Sequence, residues 1–228
     1  MKLQVLYEDN HLIAVVKPFG VPSQGDQTGD ESMLDLVKAY VKEKYAKPGD
    51  VYLGLVHRLD RPVGGVMVFA RTSKAAARLS EQFRDRETEK AYWAITERIP
   101  AEPGGQLIHY LKKLPDQNIV RAHSKQVHGS QEAKLAYEVL ATREGRALLA
   151  VALETGRRHQ IRVQLAASGW PIVGDVKYGK TEFLPDKSIA LMARSLKVTH
   201  PVTKAALEWQ APWPDTAPWK DFQSAISL

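Results

Sequence analysis

The chain has 228 residues, 44% of them hydrophobic and 25% charged, a globular composition long enough to bury about 70–75% of the surface an unfolded chain exposes. It contains no cysteine, which excludes disulfide scaffolds, thiolate nucleophiles and every cysteine-ligated metal or iron–sulfur site. The net charge is +6 and uneven: residues 1–53 carry six basic and eight acidic side chains, leaving a balance of +8 on the remainder, which favours a polyanionic partner.

Residues 1–18 mix acids and a histidine with short apolar stretches. They have neither a signal peptide's continuous apolar region nor a transit peptide's acid-poor composition, and read as mature cytoplasmic protein. Apolar runs such as 147–153 fall far short of the roughly 20 residues a membrane span needs, so no membrane role is expected.

Residues 3–7 and 12–16 predict two short strands joined by a polar turn, and Pro18, Gly20 and Pro22 then impose an irregular loop through Gly29. Ser32 with Asp35 resembles a capping box opening a helix with an apolar stripe of Leu34, Val37 and Val41, which stops before Pro48-Gly49. Residues 51–56 and 66–70 predict buried strands flanking a polar corner, His57-Arg58-Leu59-Asp60-Arg61-Pro62. Thr72 or Ser73 caps a helix running to about Arg84. Glu89–Thr96 alternates as a strand, with Ala91, Trp93 and Ile95 on one face and Lys90, Tyr92 and Ala94 on the other.

Residues 106–153 predict three or four further strands, with Glu144-Gly145-Arg146 joining a pair and 147–153 central. Thr155-Gly156 turns the chain into a helix that ends near Ser168, is capped by Gly169 and buries Ile161 and Leu165. Strands near 189–192, 195–199 and 205–210 precede a Pro/Trp-rich tail. Without regular strand–helix alternation, these elements predict an α+β fold with a mostly antiparallel sheet and a few flanking helices. No repeat or linker divides residues 1–228, which read as a single domain.

Three islands place polar side chains where a core-facing pattern would not. In residues 57–76, Asp60 sits between Arg58 and Arg61, two fixed cations that favour its ionised form, as a nucleophile or base requires. A surface ion-pair cluster has the same spacing. In residues 89–95, Lys90 and Tyr92 share a strand face and offer a cation for phosphate and a ring for a base, although half-buried strand tyrosines are routine. In residues 154–179, Arg158 and Arg162 at i, i+4 lie on one helix face opposite Ile161 and Leu165, either clamping an anion or facing solvent. The basic stretch 109–128 is either an RNA-contacting insertion or an ordinary hairpin.

Taken in order, the islands resemble the RluA family of RNA uridine-to-pseudouridine isomerases. His57-Arg58-Leu59-Asp60-Arg61 followed by Gly64-Gly65 resembles the family's catalytic-aspartate motif. Lys90-x-Tyr92 resembles the second motif, and residues 155–162 with Gly174-Asp175 and Tyr178-Gly179 the third. Lys17-Pro18-x-Gly20, His200-Pro201 and Ala211-Pro212 extend the resemblance over residues 5–214. Val16, Val63-Gly64, Gln164 and Met192 depart from the common pattern, without touching the aspartate, tyrosine or arginine.

The resemblance implies a pseudouridine synthase fold with a central RNA-binding cleft, in the short form without an extra amino-terminal RNA-binding domain. It also implies a cofactor-free, monomeric enzyme acting on a flipped uridine in a ribosomal or transfer RNA stem-loop. By the resemblance, Asp60 is the catalytic aspartate, Tyr92 stacks on the uracil and Arg162 pairs with Asp60. Arg58, by the same resemblance, helps displace the base, while the positive balance after residue 53 predicts that Arg58, Arg61, Lys90, Arg157, Arg158, Lys177 and Lys180 line one cleft, with His159 also expected to contact RNA. It favours a glycal route, while the residues alone leave attack at C1′, removal of the 2′ proton and addition to the ring open. A non-catalytic RNA-binding or RNA-folding protein is the alternative. A metal-dependent nuclease built on His57, Asp60 and His159 lacks a second carboxylate at ligand spacing, and no serine-hydrolase elbow is present.

Overall fold

The computed structural model describes residues 3–226 apart from Asp116, Lys180 and Thr181, so the cation expected at Lys180 lies outside the described residues. The chain opens with β1 (Gln4–Glu8), β2 (Leu12–Lys17), α1 (Met33–Lys44), β3 (Gly54–Leu55), β4 (Gly64–Ala70) and α2 (Ser73–Asp85). It continues with β5 (Glu89–Thr96), β6 (Gly104–Lys113), β7 (Val120–His123), β8 (Gln131–Arg143), β9 (Arg146–Leu153) and α3 (Gln160–Ala167). It closes with β10 (Leu191–Thr199), β11 (Ala206–Gln210) and α4 (Trp219–Gln223). No helix among the described residues is long and apolar enough to cross a membrane. The contacts divide the chain into two units: Met1–Lys90 with Ala193–Ala211, and Ala91–Met192 with Pro212–Leu228.

In the first unit β2 runs antiparallel between β1 and β4, and β10 pairs antiparallel with β11. All seven residues of β4 are buried, as a strand covered on both faces requires. The α1 capping box forms in both directions: the Asp35 amide donates to Ser32 Oγ at 3.3 Å, and the Ser32 amide donates to Asp35 Oδ2 at 3.1 Å. The buried row is Met33, Val37 and Val41, at strict i, i+4 spacing: Val37 and Val41 are buried as expected, and Met33 takes the place of Leu34, which is only half-buried. Of the strand expected at 51–56 only Gly54–Leu55 joins the ladder, while Val51 and Leu53 are buried from non-strand backbone. The strands expected at 189–192 and 195–199 are one strand, β10. The polar pair Arg194-Ser195, which reads as a break, is held by the Ala211 amide donating to the Arg194 carbonyl at 2.9 Å and by Ser195 pairing with Gln210.

The second unit is an antiparallel sheet in the order β5-β9-β8-β6-β7. Glu144 and Gly145, both at positive φ (50° and 76°), form the two-residue turn that joins β8 to β9. The register aligns Tyr92 with Val151, Tyr137 and Gly105, which therefore share one face. On that face α3 sets Val163 against Leu111, Val120 and Ala133, and the Trp170 ring lies 5.0 Å from Tyr137. The opposite face carries Trp93, whose ring packs 4.9 Å from Trp213 of the tail. Alternation on β5 thus separates Tyr92 from Trp93 as the sequence predicts.

Gly65 is the tightest backbone approach of the first unit. Its φ is +116°, and a Cβ there would stand 2.2 Å from the Ala193 carbonyl oxygen and 2.6 Å from its nitrogen. Gly65→Ala should therefore destabilise the protein by at least about 3 kcal/mol, through strained backbone and displaced strand together. Urea unfolding checks this, and a loss under about 1 kcal/mol would show that β4 and β10 separate freely.

Candidate active site

The Asp60 turn is pinned by main-chain and side-chain bonds on every side. Lys17, at the end of β2, is only 1% exposed, and its Nζ donates to the carbonyls of Pro18 at 3.0 Å, Arg61 at 3.1 Å and Val63 at 2.6 Å. Ser23 Oγ donates to the Leu59 carbonyl at 2.7 Å and accepts from the Leu59 amide at 3.1 Å. The Val63 amide donates to the Asp60 carbonyl at 3.0 Å, and the Gly20 amide to that of Arg61 at 3.0 Å. The backbone that presents Asp60 has little freedom left. Burial pulls the Lys17 amine down to about 7, with the Asp60 charge pulling upward and Arg61 downward.

The neighbours of Asp60 have partners of their own. Arg61 Nε donates to the Gly20 carbonyl at 3.1 Å and Nη1 to Thr28 Oγ1 at 3.1 Å, and the guanidinium pairs with Asp30 and, at 3.7 Å, with Asp26. It is turned onto the acidic loop 26–30 instead of flanking Asp60 as a bare cation. Arg58 is exposed. His57 Nε2 accepts from the Val68 amide at 3.0 Å, and its ring stacks on Phe83 at 4.6 Å. Burial, with the Lys90 charge, holds that imidazole neutral, down to about 3. Lys90 lies 5.7 Å over the same Phe83 ring and is lowered by burial and then by Arg86.

In the second unit the expected Arg158/Arg162 helix face does not form. His159 takes a left-handed conformation (φ 53°) as N-cap, so α3 begins at Gln160 and Arg158 lies outside it. The Gln160 side chain holds this entry, accepting from Thr155 Oγ1 at 2.8 Å and the Arg157 amide at 2.9 Å while donating to the Lys134 carbonyl at 3.0 Å. Arg157 Nε donates to the Glu132 carbonyl at 3.1 Å, and Arg158 Nη2 to Asn118 Oδ1 at 2.6 Å. Residues 160–165 are all buried, so α3 has no solvated stripe and Arg162 is inside.

Arg162 is matched there by Asp175, which the sequence reading assigned no role. Nε donates to Oδ2 at 2.7 Å and Nη2 to Oδ1 at 2.8 Å, a bidentate pair in which the side chains are 6% and 1% exposed. The guanidinium also lies 5.2 Å over the Tyr178 ring. Tyr178 in turn shares a 2.6 Å hydrogen bond with His159 Nδ1, and its hydroxyl accepts from the Val120 amide at 3.0 Å. Gly174, at φ +81° with a Cβ position 2.8 Å from Leu184, is the signal that could have marked Asp175, because the chain turns sharply there to aim it. Tyr92 and Arg162 thus belong to the same sheet face of the second unit, whereas Asp60 belongs to the first unit.

The first unit holds Asp60 on a pinned turn, and the second holds Tyr92 and the buried Arg162 on one face of an antiparallel sheet. Residues 11–167 match the RNA pseudouridylate synthase family, and the chain belongs to that family. It is 34% identical over 226 residues to ribosomal large subunit pseudouridine synthase D of Nitrosomonas europaea, covering 93% of this chain and 62% of that protein. It is 33% identical to tRNA pseudouridine synthase C of Haemophilus ducreyi, covering 89% and 88%. Among solved structures, human RNA pseudouridylate synthase domain containing 4 superposes with a TM-score of 0.78 at 26% identity, covering 93% of this chain and 89% of that one.

The Lys17 amine gives the first unit a pH signature. With about 7 in the folded state against 10.5 in the unfolded chain, the unfolded state holds the extra proton between those values. The burial cost is therefore complete below pH 7 and is relieved as pH rises through the window. Measured against Lys17→Met, which cannot titrate there, the wild-type unfolding free energy should gain more than about 1 kcal/mol between pH 7 and pH 9. A flat difference in urea unfolding would show that the folded amine stays protonated.

Proposed function

We propose that this chain isomerises uridine to pseudouridine in structured ribosomal or transfer RNA, acting as one catalytic domain, as a monomer, in the cytoplasm. The observation that carries the reading is the family match over residues 11–167, which takes in the Asp60 turn, Tyr92 and Arg162 together. The relatives' names support both classes of RNA. In this reading Asp60 is the nucleophile or base, Tyr92 stacks on the uracil and assists proton transfer, and Arg162 supplies the guanidinium that the reacting carboxylate requires. Arg58 and Arg158, both exposed, with Arg61, Lys90, Arg157 and His159, serve the RNA backbone.

The reaction breaks the C1′–N1 bond, turns the uracil and joins C1′ to C5. C5 loses a proton and N1 gains one, so atoms and electrons balance without oxidant, reductant or outside nucleophile. One ionised carboxylate suffices, provided it is held still while the base rotates. The bonds of Lys17 and Ser23 to the turn supply that rigidity. The target nucleotide has to leave its stack, at about a few kcal/mol, which aromatic stacking and phosphate contacts offset.

Release of tritium from RNA labelled at uracil C5 tests the reading and separates the enzyme from a non-catalytic RNA binder, which releases none. Asp60→Asn keeps the shape and removes the charge, so turnover should fall at least about a thousandfold, about 4 kcal/mol of barrier, with RNA affinity little changed. Retention of more than about a tenth of wild-type turnover would remove Asp60 from the chemistry. Tyr92→Phe should bind RNA nearly normally and turn over poorly, whereas Tyr92→Ala should also lose about 1–3 kcal/mol of stacking. Full turnover by the Phe variant would assign Tyr92 to stacking alone.

A further inference from the structure

We propose that the outward face of the β6–β7 hairpin is a second RNA-contacting surface, one that holds the phosphate backbone flanking the target nucleotide; the proposal rests on the reading of the chain as an RNA-modifying enzyme. The hairpin is two-faced. Leu111 and Val120 are buried against Val163 of α3, with Ala122 and Tyr178 packed beside them. The other face presents Ile108, 47% exposed, with Tyr110 and Lys112 on β6 and Arg121 and His123 on β7.

Two features of that face point to an anion. The register sets Lys112 directly opposite Arg121, and like charges directly opposite on a sheet destabilise it. Neither cation has an ion pair or hydrogen bond with a described residue. On the adjacent strand Lys134 and Glu132 neutralise each other at 3.0 Å, so the excess charge is concentrated at Lys112 and Arg121. The next pair on this face, two residues along the ladder, is Tyr110 opposite His123, two rings beside two cations, the combination on which nucleobases stack while their phosphates are held.

The surroundings leave this face open and favour a polyanion over a single ion. The tail covers the same sheet face at the β5 end, through Trp213 on Trp93, whereas at the hairpin end Ile108 and Arg121 are exposed. β7 is the last strand in the order, and Arg158 and Lys177 reach the hairpin's connecting turn from the α3 side through Asn118. Cations thus stand on both faces of one sheet margin. An RNA strand or stem passing round that margin meets both sets.

The test compares wild type with Lys112→Gln/Arg121→Gln, using a full RNA stem-loop and its isolated loop as probes. Both side chains face outward, so the fold is retained, and Lys112→Arg/Arg121→Lys should behave as wild type. Stem-loop affinity should fall at least about fivefold and the salt slope by roughly one and a half units, since two phosphate contacts are lost. Affinity for the isolated loop and turnover at saturating RNA should not change. Unchanged stem-loop affinity and slope would overturn the proposal, including in the case that an acidic protein is later found on this face. If wild type releases no tritium from either RNA but the affinity and slope still fall, the surface stands and the isomerase reading fails.

Discussion

A buried guanidinium is costly in a protein core unless its charge and its donors are matched. Arg162 and Asp175 satisfy that requirement, and the second unit is arranged around it. Removing one partner of such a pair characteristically costs about 3–5 kcal/mol, because the other charge is left stranded. The loop after α3 has to return to α3, which it does through the sharp turn at Gly174. Tyr178 has to lie under the guanidinium, where its hydroxyl also engages His159 and the Val120 amide. The Tyr178 hydroxyl thereby ties the β7 backbone to the ring that the guanidinium covers.

The first unit solves a comparable problem with the opposite economy. Its buried cation, Lys17, meets main-chain carbonyls instead of a side-chain acid, and two of the three belong to the segment that carries Asp60. Where Arg162 is matched charge for charge, Lys17 is matched by dipoles, and burial pulls its amine down. Each arrangement fixes a buried cation within its own unit, one through a side-chain carboxylate and one through main-chain carbonyls.

What could be read from the sequence was whatever is local. The Ser32/Asp35 capping box, the Thr72 cap and the Glu144-Gly145 turn depend on residues within four positions of one another, and all three form as expected. Strand β5 spans Glu89–Thr96 as its alternation predicts. The failures are long-range. Arg158 and Arg162 have ideal helical spacing, but nothing in that spacing reveals that the Gln160 side chain closes the preceding turn and that His159 leaves the helical path. Arg61 looked like a cation beside Asp60 because its carboxylate partners lie some thirty residues earlier in the chain. Asp175 and Lys17 were legible as motif letters only; what they hold depends on segments brought together by the fold.

The way β10 and β11 are placed in the chain has a consequence for how the protein is made. In the second unit β6–β7, β6–β8 and β8–β9 are joined by short sequence distances, so these four strands can zip up hairpin by hairpin as the chain leaves the ribosome. The first unit cannot be completed in that way. Its β4, seven consecutive buried residues, is synthesised early, but the strands of that unit between Ala193 and Ala211 arrive more than a hundred residues later. Although it begins the sequence, this unit waits for a late segment, and until that segment arrives it carries an apolar strand with an open edge. Slow translation or a truncated message would expose that edge for longest, making β4 the segment through which nascent chains aggregate.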